Sequence, residues 1–142
     1  MELQAAMEPT QPPDPSPTAL QPPVAGVLLS RDLMFTSKVT GTASALGSRV
    51  VVAGDLERAS AMIAEHRPRA VFVDLAAGSL VAPESLAALQ RAAGLETPFI
   101  AFGSHVDVEA MAAARAAGCR EVMPRSKFSG ELPDILRRWL LG

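Results

Sequence analysis

The sequence contains one cysteine, Cys119, and no tyrosine. A lone cysteine excludes an intrachain disulfide and any metal site built from several thiolates. No apolar run approaches the roughly 20 residues that a bilayer-spanning helix requires. Residues 1–24 hold no Lys or Arg, and so lack the basic start and apolar centre of a signal peptide. Seven of the twelve prolines lie there instead (Pro9, Pro12, Pro13, Pro15, Pro17, Pro22 and Pro23), together with Glu2, Glu8 and Asp14. Such a stretch buries too little apolar surface to offset its ordering entropy, so residues 1–24 are expected to form a disordered or polyproline-like tail. Its Pro-x-x-Pro spacings, Pro9/Pro12 and Pro12/Pro15, suit an aromatic groove, but a passive tail is the simpler reading.

Residues 25–142 are enough for one compact domain with its own core. With the three tail acids set aside, 12 acidic residues balance 13 Lys and Arg. Nucleic-acid binding would call for clustered positive charge, so no nucleic acid is expected as a partner, and no membrane. The expected setting is the cytoplasm.

The domain is organised around Val71-Phe-Val-Asp-Leu75, where a continuously apolar strand ends in a carboxylate. Apolar residues at consecutive positions fit a strand buried on both faces, as in the middle of a parallel sheet. Asp74 then stands at the carboxyl end of that strand, where open α/β sheets gather ligands and chemistry. The simpler role for Asp74 is to cap a turn. Gly26-Val-Leu-Leu29 and Arg49-Val-Val-Val-Ala53 read as the two earlier strands, each followed by a helix, with Asp32 as a helix cap. Pro83 fits the first turn of the next helix and Gly94 its end. Pro98 to Phe102 and Glu121 to Met123 supply the last two strands, with a helix over 108–117 between them. Ser129 is expected to cap the final helix, in which Leu132, Ile135, Leu136, Trp139 and Leu140 share one face. Five successive strand-helix units imply a parallel sheet with helices on both faces.

The order of these elements, with Val71-Phe-Val-Asp-Leu75, Thr97-Pro-Phe-Ile-Ala-Phe-Gly-Ser-His-Val-Asp107, Ala116-Ala-Gly-Cys-Arg-Glu121 and the closing amphipathic helix, resembles the receiver domains of two-component response regulators. The resemblance covers residues 25–141. It implies a CheY-like, flavodoxin-like fold: a three-layer αβα sandwich around a five-stranded parallel sheet in the order 2-1-3-4-5. It also implies that Asp74 occupies the phosphoacceptor position. The family supports that aspartate with an acidic pair that holds Mg²⁺, a hydroxyl after the fourth strand and a lysine after the fifth.

Here each supporting position is altered. The acidic pair falls on Ser30 and Arg31, with Asp32 one residue late. The hydroxyl position falls on Gly103, with Ser104 next. The lysine position falls on Arg125 when counted from Gly118, or on Lys127 when counted from the last helix. Arg31 is expected to set a guanidinium beside Asp74, where the family places a metal. The resemblance with these departures implies an atypical, stand-alone receiver-like domain. It would signal by protein–protein interaction, without catalysis of its own, without a cofactor and without Mg²⁺-dependent phosphorylation. Its partners would be proteins, among them a histidine kinase or a second copy through the last two helices, where Arg115, Arg120, Arg125, Arg137 and Arg138 make the surface basic. The alternative is a working phosphorelay receiver. In it Asp74 takes a phosphoryl group from a histidine kinase or phosphotransfer protein, Asp32 and Asp74 hold Mg²⁺, Ser104 supplies the hydroxyl, and Arg125 or Lys127 binds the phosphate.

Other chemistry is weaker. Gly41-Thr-Ala-Ser-Ala-Leu-Gly47 superficially resembles a phosphate loop, but no lysine follows and the stretch has a helical pattern. Ser104, His105 and Asp107 have the residue types of a hydrolase triad, yet chain neighbours rarely converge on one reacting atom. His66 reads as a surface residue and Cys119 as core. A small-ligand flavodoxin-like protein would need an apolar pocket near Ala76, Ala77 and Gly78.

Overall fold

The structure is a computed structural model and describes residues 21–142. Most of the proline-rich tail expected over 1–24 lies outside the described residues. Five short apolar runs form strands: β1 (Gly26–Leu29), β2 (Val50–Ala53), β3 (Ala70–Asp74), β4 (Phe99–Gly103) and β5 (Glu121–Pro124). All pair in parallel, in the order β2-β1-β3-β4-β5. Every residue of the inner strands β1, β3 and β4 is buried, which accounts for their unbroken apolar sequences.

The crossovers are α1 (Leu33–Ala45), α2 (Leu56–His66), α3 (Pro83–Ala93) and α4 (Val108–Ala116). A 3₁₀ turn, Gly78–Val81, occupies part of the stretch between β3 and α3. Three aspartates start helices by accepting a backbone N–H within the first turn. Asp32 takes that of Phe35 at 3.0 Å, Asp55 that of Arg58 at 2.7 Å, and Asp107 that of Ala110 at 3.1 Å. Helices α2, α3 and α4 bury Ile63, Leu86, Leu89 and Ala114 against one face of the sheet. On the other face α1 and the C-terminal helices bury Phe35, Val39, Phe128, Leu132 and Leu140. The result is the expected three-layer sandwich. No helix among the described residues is long and apolar enough to cross a membrane.

The final helix departs from the sequence reading. It does not wait for Ser129 but begins directly after β5, as α5 (Arg125–Gly130), α6 (Leu132–Leu136) and a π-helical turn, Arg137–Leu141. Pro124 fixes φ at −63° and has no N–H to donate, so it ends the strand and leads straight into the first helical turn. Ser129 instead accepts a hydrogen bond from Lys38 Nζ at 2.6 Å. The early start places Arg125 at the top of the sheet. At the other end, Arg69 donates to the carbonyls of Leu140 and Gly142 at 3.1 and 3.3 Å, tying the last turn to the start of β3.

Candidate functional site

Parallel pairing brings the strand ends level: Leu29 lies beside Val73, Asp74 beside Phe102, and Gly103 beside Pro124. Ser30, Asp74 and Arg125, each at or just past a strand end, therefore converge. The Asp74 carboxylate is buried, its side chain 2% exposed. Three donors meet it. Ser30 Oγ donates to Oδ2 at 2.7 Å, Arg125 Nη2 donates to the same oxygen at 2.9 Å, and the Ala76 N–H donates to Oδ1 at 3.0 Å. A buried carboxylate is tolerated only when it is paired and hydrogen-bonded, and here both conditions hold.

Arg125 does more than pair with Asp74. Its Nη1 lies 3.8 Å from Asp32 Oδ2, so one guanidinium spans two carboxylates. Its Cζ sits 4.3 Å from the centroid of the Phe35 ring and 5.4 Å from that of Phe102. Planar stacking and a fixed donor fork suit arginine and would be lost with lysine. Phe35 and Phe102 were invisible as site residues in the sequence, because apolar periodicity marks them only as core.

The guanidinium expected beside Asp74 is present, but Arg31 does not supply it. Arg31 Nε donates to the Gly54 carbonyl at 2.8 Å. Ser30 takes the inward position after β1, and the next residue turns towards β2, where the Gly54 carbonyl accepts it. Lys127 is exposed and lies outside the constellation. Ser104 is also exposed, and its Oγ accepts only the Val106 N–H at 3.4 Å. Gly103 could not carry a hydroxyl side chain without a shift, since a Cβ there would lie 3.2 Å from both Cβ and Cδ1 of Leu75.

The Mg²⁺ that the resemblance implies needs several free oxygens around one point. Asp74 already accepts three donors, and Asp32 is divided between the α1 cap and Arg125. No group of three or more His, Cys, Asp or Glu side chains among the described residues could hold a metal. This donor set does not fit the ion, because a guanidinium lies between the two carboxylates.

The remaining sequence candidates stay apart. Residues 41–45 are helical, within α1. Asp107 caps α4, and Ser104 and His105 are exposed beside it. The cleft near Gly78, lined by Leu75, Val81, Pro83, Leu86 and Ala110, encloses about 190 Å³. That is less than the roughly 300 Å³ of a small-ligand pocket. The basic face is also reduced. Arg125 turns inward, Arg137 pairs with Asp134 at 2.9 Å, and Arg138 pairs with Glu121 at 2.8 Å.

Cys119 is core, and burial pushes its thiol from 9.0 up to about 11. The folded state therefore keeps a proton that the unfolded thiol releases. Stability falls as pH rises from 9.0 towards 11, by on the order of 2 kcal/mol. Urea unfolding at about pH 8 and about pH 10.5 should reveal this loss, and Cys119→Ala should remove its thiol-dependent part. Equal pH slopes in the two proteins would disprove the assignment.

No family model matches the sequence, and no curated protein matches it. Solved structures do. The receiver domain of sensor histidine kinase PA1611 from Pseudomonas aeruginosa, which has a magnesium ion coordinated in its active-site cleft, aligns with a TM-score of 0.70. It shares 19% identity, over 84% of this chain and 99% of that one. The receiver domain of NtrX from Brucella abortus aligns at 0.70 with 21% identity, over 82% and 98% of the two chains. The receiver domain of the response regulator NarL from Mycobacterium tuberculosis aligns at 0.68 with 20% identity, over 85% and 98%. The chain therefore has the response-regulator receiver fold.

Proposed function

We propose that the chain is a signalling module of the two-component type that acts through protein–protein contact, without catalysis and without Mg²⁺-dependent phosphorylation of Asp74. The observation that carries this reading is the Asp74 carboxylate, buried and accepting from Ser30, Arg125 and the Ala76 N–H. A phosphoryl donor would have to displace an internal ion pair to reach it. Asp32, the nearest second carboxylate described, is shared between the α1 cap and Arg125. The partner would be a histidine kinase, another component of the same pathway or a second copy, in the cytoplasm.

The phosphorelay alternative draws on one specific contact. Arg125 touches Asp74 from the position where the family carries its lysine, and a guanidinium can bind a phosphate as well as a carboxylate. The amide NMR spectrum with millimolar Mg²⁺ and a beryllofluoride phosphoryl mimic separates the two. We expect no change at Asp74, Ala76, Gly103 or Arg125. Shifts at these positions that disappear in Asp74→Asn would restore the phosphorelay.

A further inference from the structure

We infer that the end of the sheet opposite Asp74 carries an oxyanion-binding site, formed by Arg67, Arg91 and Arg120 and suited to a small phosphate-bearing molecule. The balanced charge of the sequence conceals a segregation imposed by topology. In a parallel sheet with helical crossovers, strand starts and helix ends share one end of the domain. Arg67 follows α2, Arg91 lies in the last turn of α3, and Arg120 immediately precedes β5. All three thus come to the same end.

Two adjoining cavities lie there. The larger, about 390 Å³, is lined by Arg67 and Arg91 together with Ile63, Ala64, Gly94 and Thr97. The smaller, about 220 Å³, is lined by Arg120, Gln90 and Gly118 and shares Gly94 and Thr97 with the first. Together they are in the size range of small-molecule sites. None of the three guanidinium groups has a carboxylate within ion-pair distance among the described residues, although Glu65 and Glu96 are close in sequence.

A cation near a helix C-terminus is ordinarily explained by the helix dipole. Two further observations exceed that explanation. Arg67 is the one described non-glycine residue with a positive φ, +47°, at a cap position that glycine fills at lower cost. An arginine stands where the backbone favours glycine. In the smaller cavity's lining, Gln90 Nε2 is buried and has no hydrogen-bond partner. A buried amide donor left unpaired is costly, and a turn of the Gln90 amide into the cleft would let an anionic oxygen satisfy it. Among the described residues, three guanidinium groups without a carboxylate partner and one unpaired amide donor gather around walls that share Gly94 and Thr97, a donor-rich lining that complements an oxyanion.

The test is a titration of the protein with sodium pyrophosphate at low ionic strength, followed by amide NMR, with ATP and inorganic phosphate as parallel arms. Saturable shifts are expected at Arg67, Gln90, Gly94, Thr97 and Arg120, with Asp74 and Ala76 unmoved. The double variant Arg67→Gln/Arg91→Gln should weaken pyrophosphate binding at least tenfold. Both side chains are exposed, so it should unfold at the wild-type temperature. Binding of ATP tighter than that of pyrophosphate identifies a nucleotide as the ligand, and equal binding identifies the phosphate groups alone. Non-saturating shifts spread over the whole surface, or wild-type affinity in the double variant, would overturn the site.

Discussion

Replacing Arg125 with methionine is expected to destabilise the domain by about 3 kcal/mol at neutral pH, and adding Asp74→Asn to that variant should recover part of the loss. The expectation rests on unequal burial. The Asp74 side chain is 2% exposed, whereas that of Arg125 is 32% exposed. Without Arg125, a carboxylate stays buried with only the Ser30 hydroxyl and the Ala76 N–H to hold its charge. Breaking a buried pair from one side costs roughly 3–5 kcal/mol, and the lower end applies because water can approach where Arg125 now lies. Methionine keeps an unbranched apolar stem against Phe35, which separates loss of charge from loss of packing. Asparagine at position 74 removes the charge but keeps an acceptor, so the double variant should be more stable than Arg125→Met alone. Urea unfolding of the four proteins closes the cycle. Additive effects would mean that the guanidinium and the carboxylate do not depend on each other.

The fold was largely legible because strand burial and helix caps write themselves into local sequence. Continuous apolar runs at 70–73 and 99–102 fit inner strands of a parallel sheet, and Asp32, Asp55 and Asp107 each precede a helix that they cap. The start of the last helix was misplaced because Ser129 is a good capping residue. Pro124, whose ring both ends a strand and opens a helix, sets that start instead. In the site, Asp74 was legible from its place at a strand tip. Its partner was not, because Arg31 and Arg125 are both plausible in a linear sequence. The choice between them depends on which residue after β1 faces Asp74. Ser30 lies inward and Arg31 turns away to Gly54, a distinction that a shift of one residue would reverse. The closure of Gly103 by Leu75 is a contact between neighbouring strands, and no spacing along the chain reports it.

Phe128→Ala should be the other most costly single change, at about 3–5 kcal/mol, and its effect should reach the Asp74 site. Phe128 is completely buried and lies one helical turn beyond Arg125. Its ring stacks on Phe102 with centroids 4.1 Å apart and an interplanar angle of 16°, and it meets Phe72 and Phe35 at 5.7 and 5.9 Å. Phe35 and Phe102 are the two rings beneath the Arg125 guanidinium, so the cluster joins the C-terminal helices to the ion pair through continuous contact. Alanine would leave a cavity lined by three rigid rings that cannot collapse into it, which sets the cost near the upper end of core truncations. Leucine fills most of that space and should cost less than about 1.5 kcal/mol, which separates lost volume from lost aromatic stacking. Urea unfolding followed by the fluorescence of Trp139 measures both variants. The amide shifts of Asp74 and Ala76 show whether Arg125 keeps its place. A loss below about 1 kcal/mol in Phe128→Ala would mean that the cluster closes over the gap and that packing does not hold Arg125 in position.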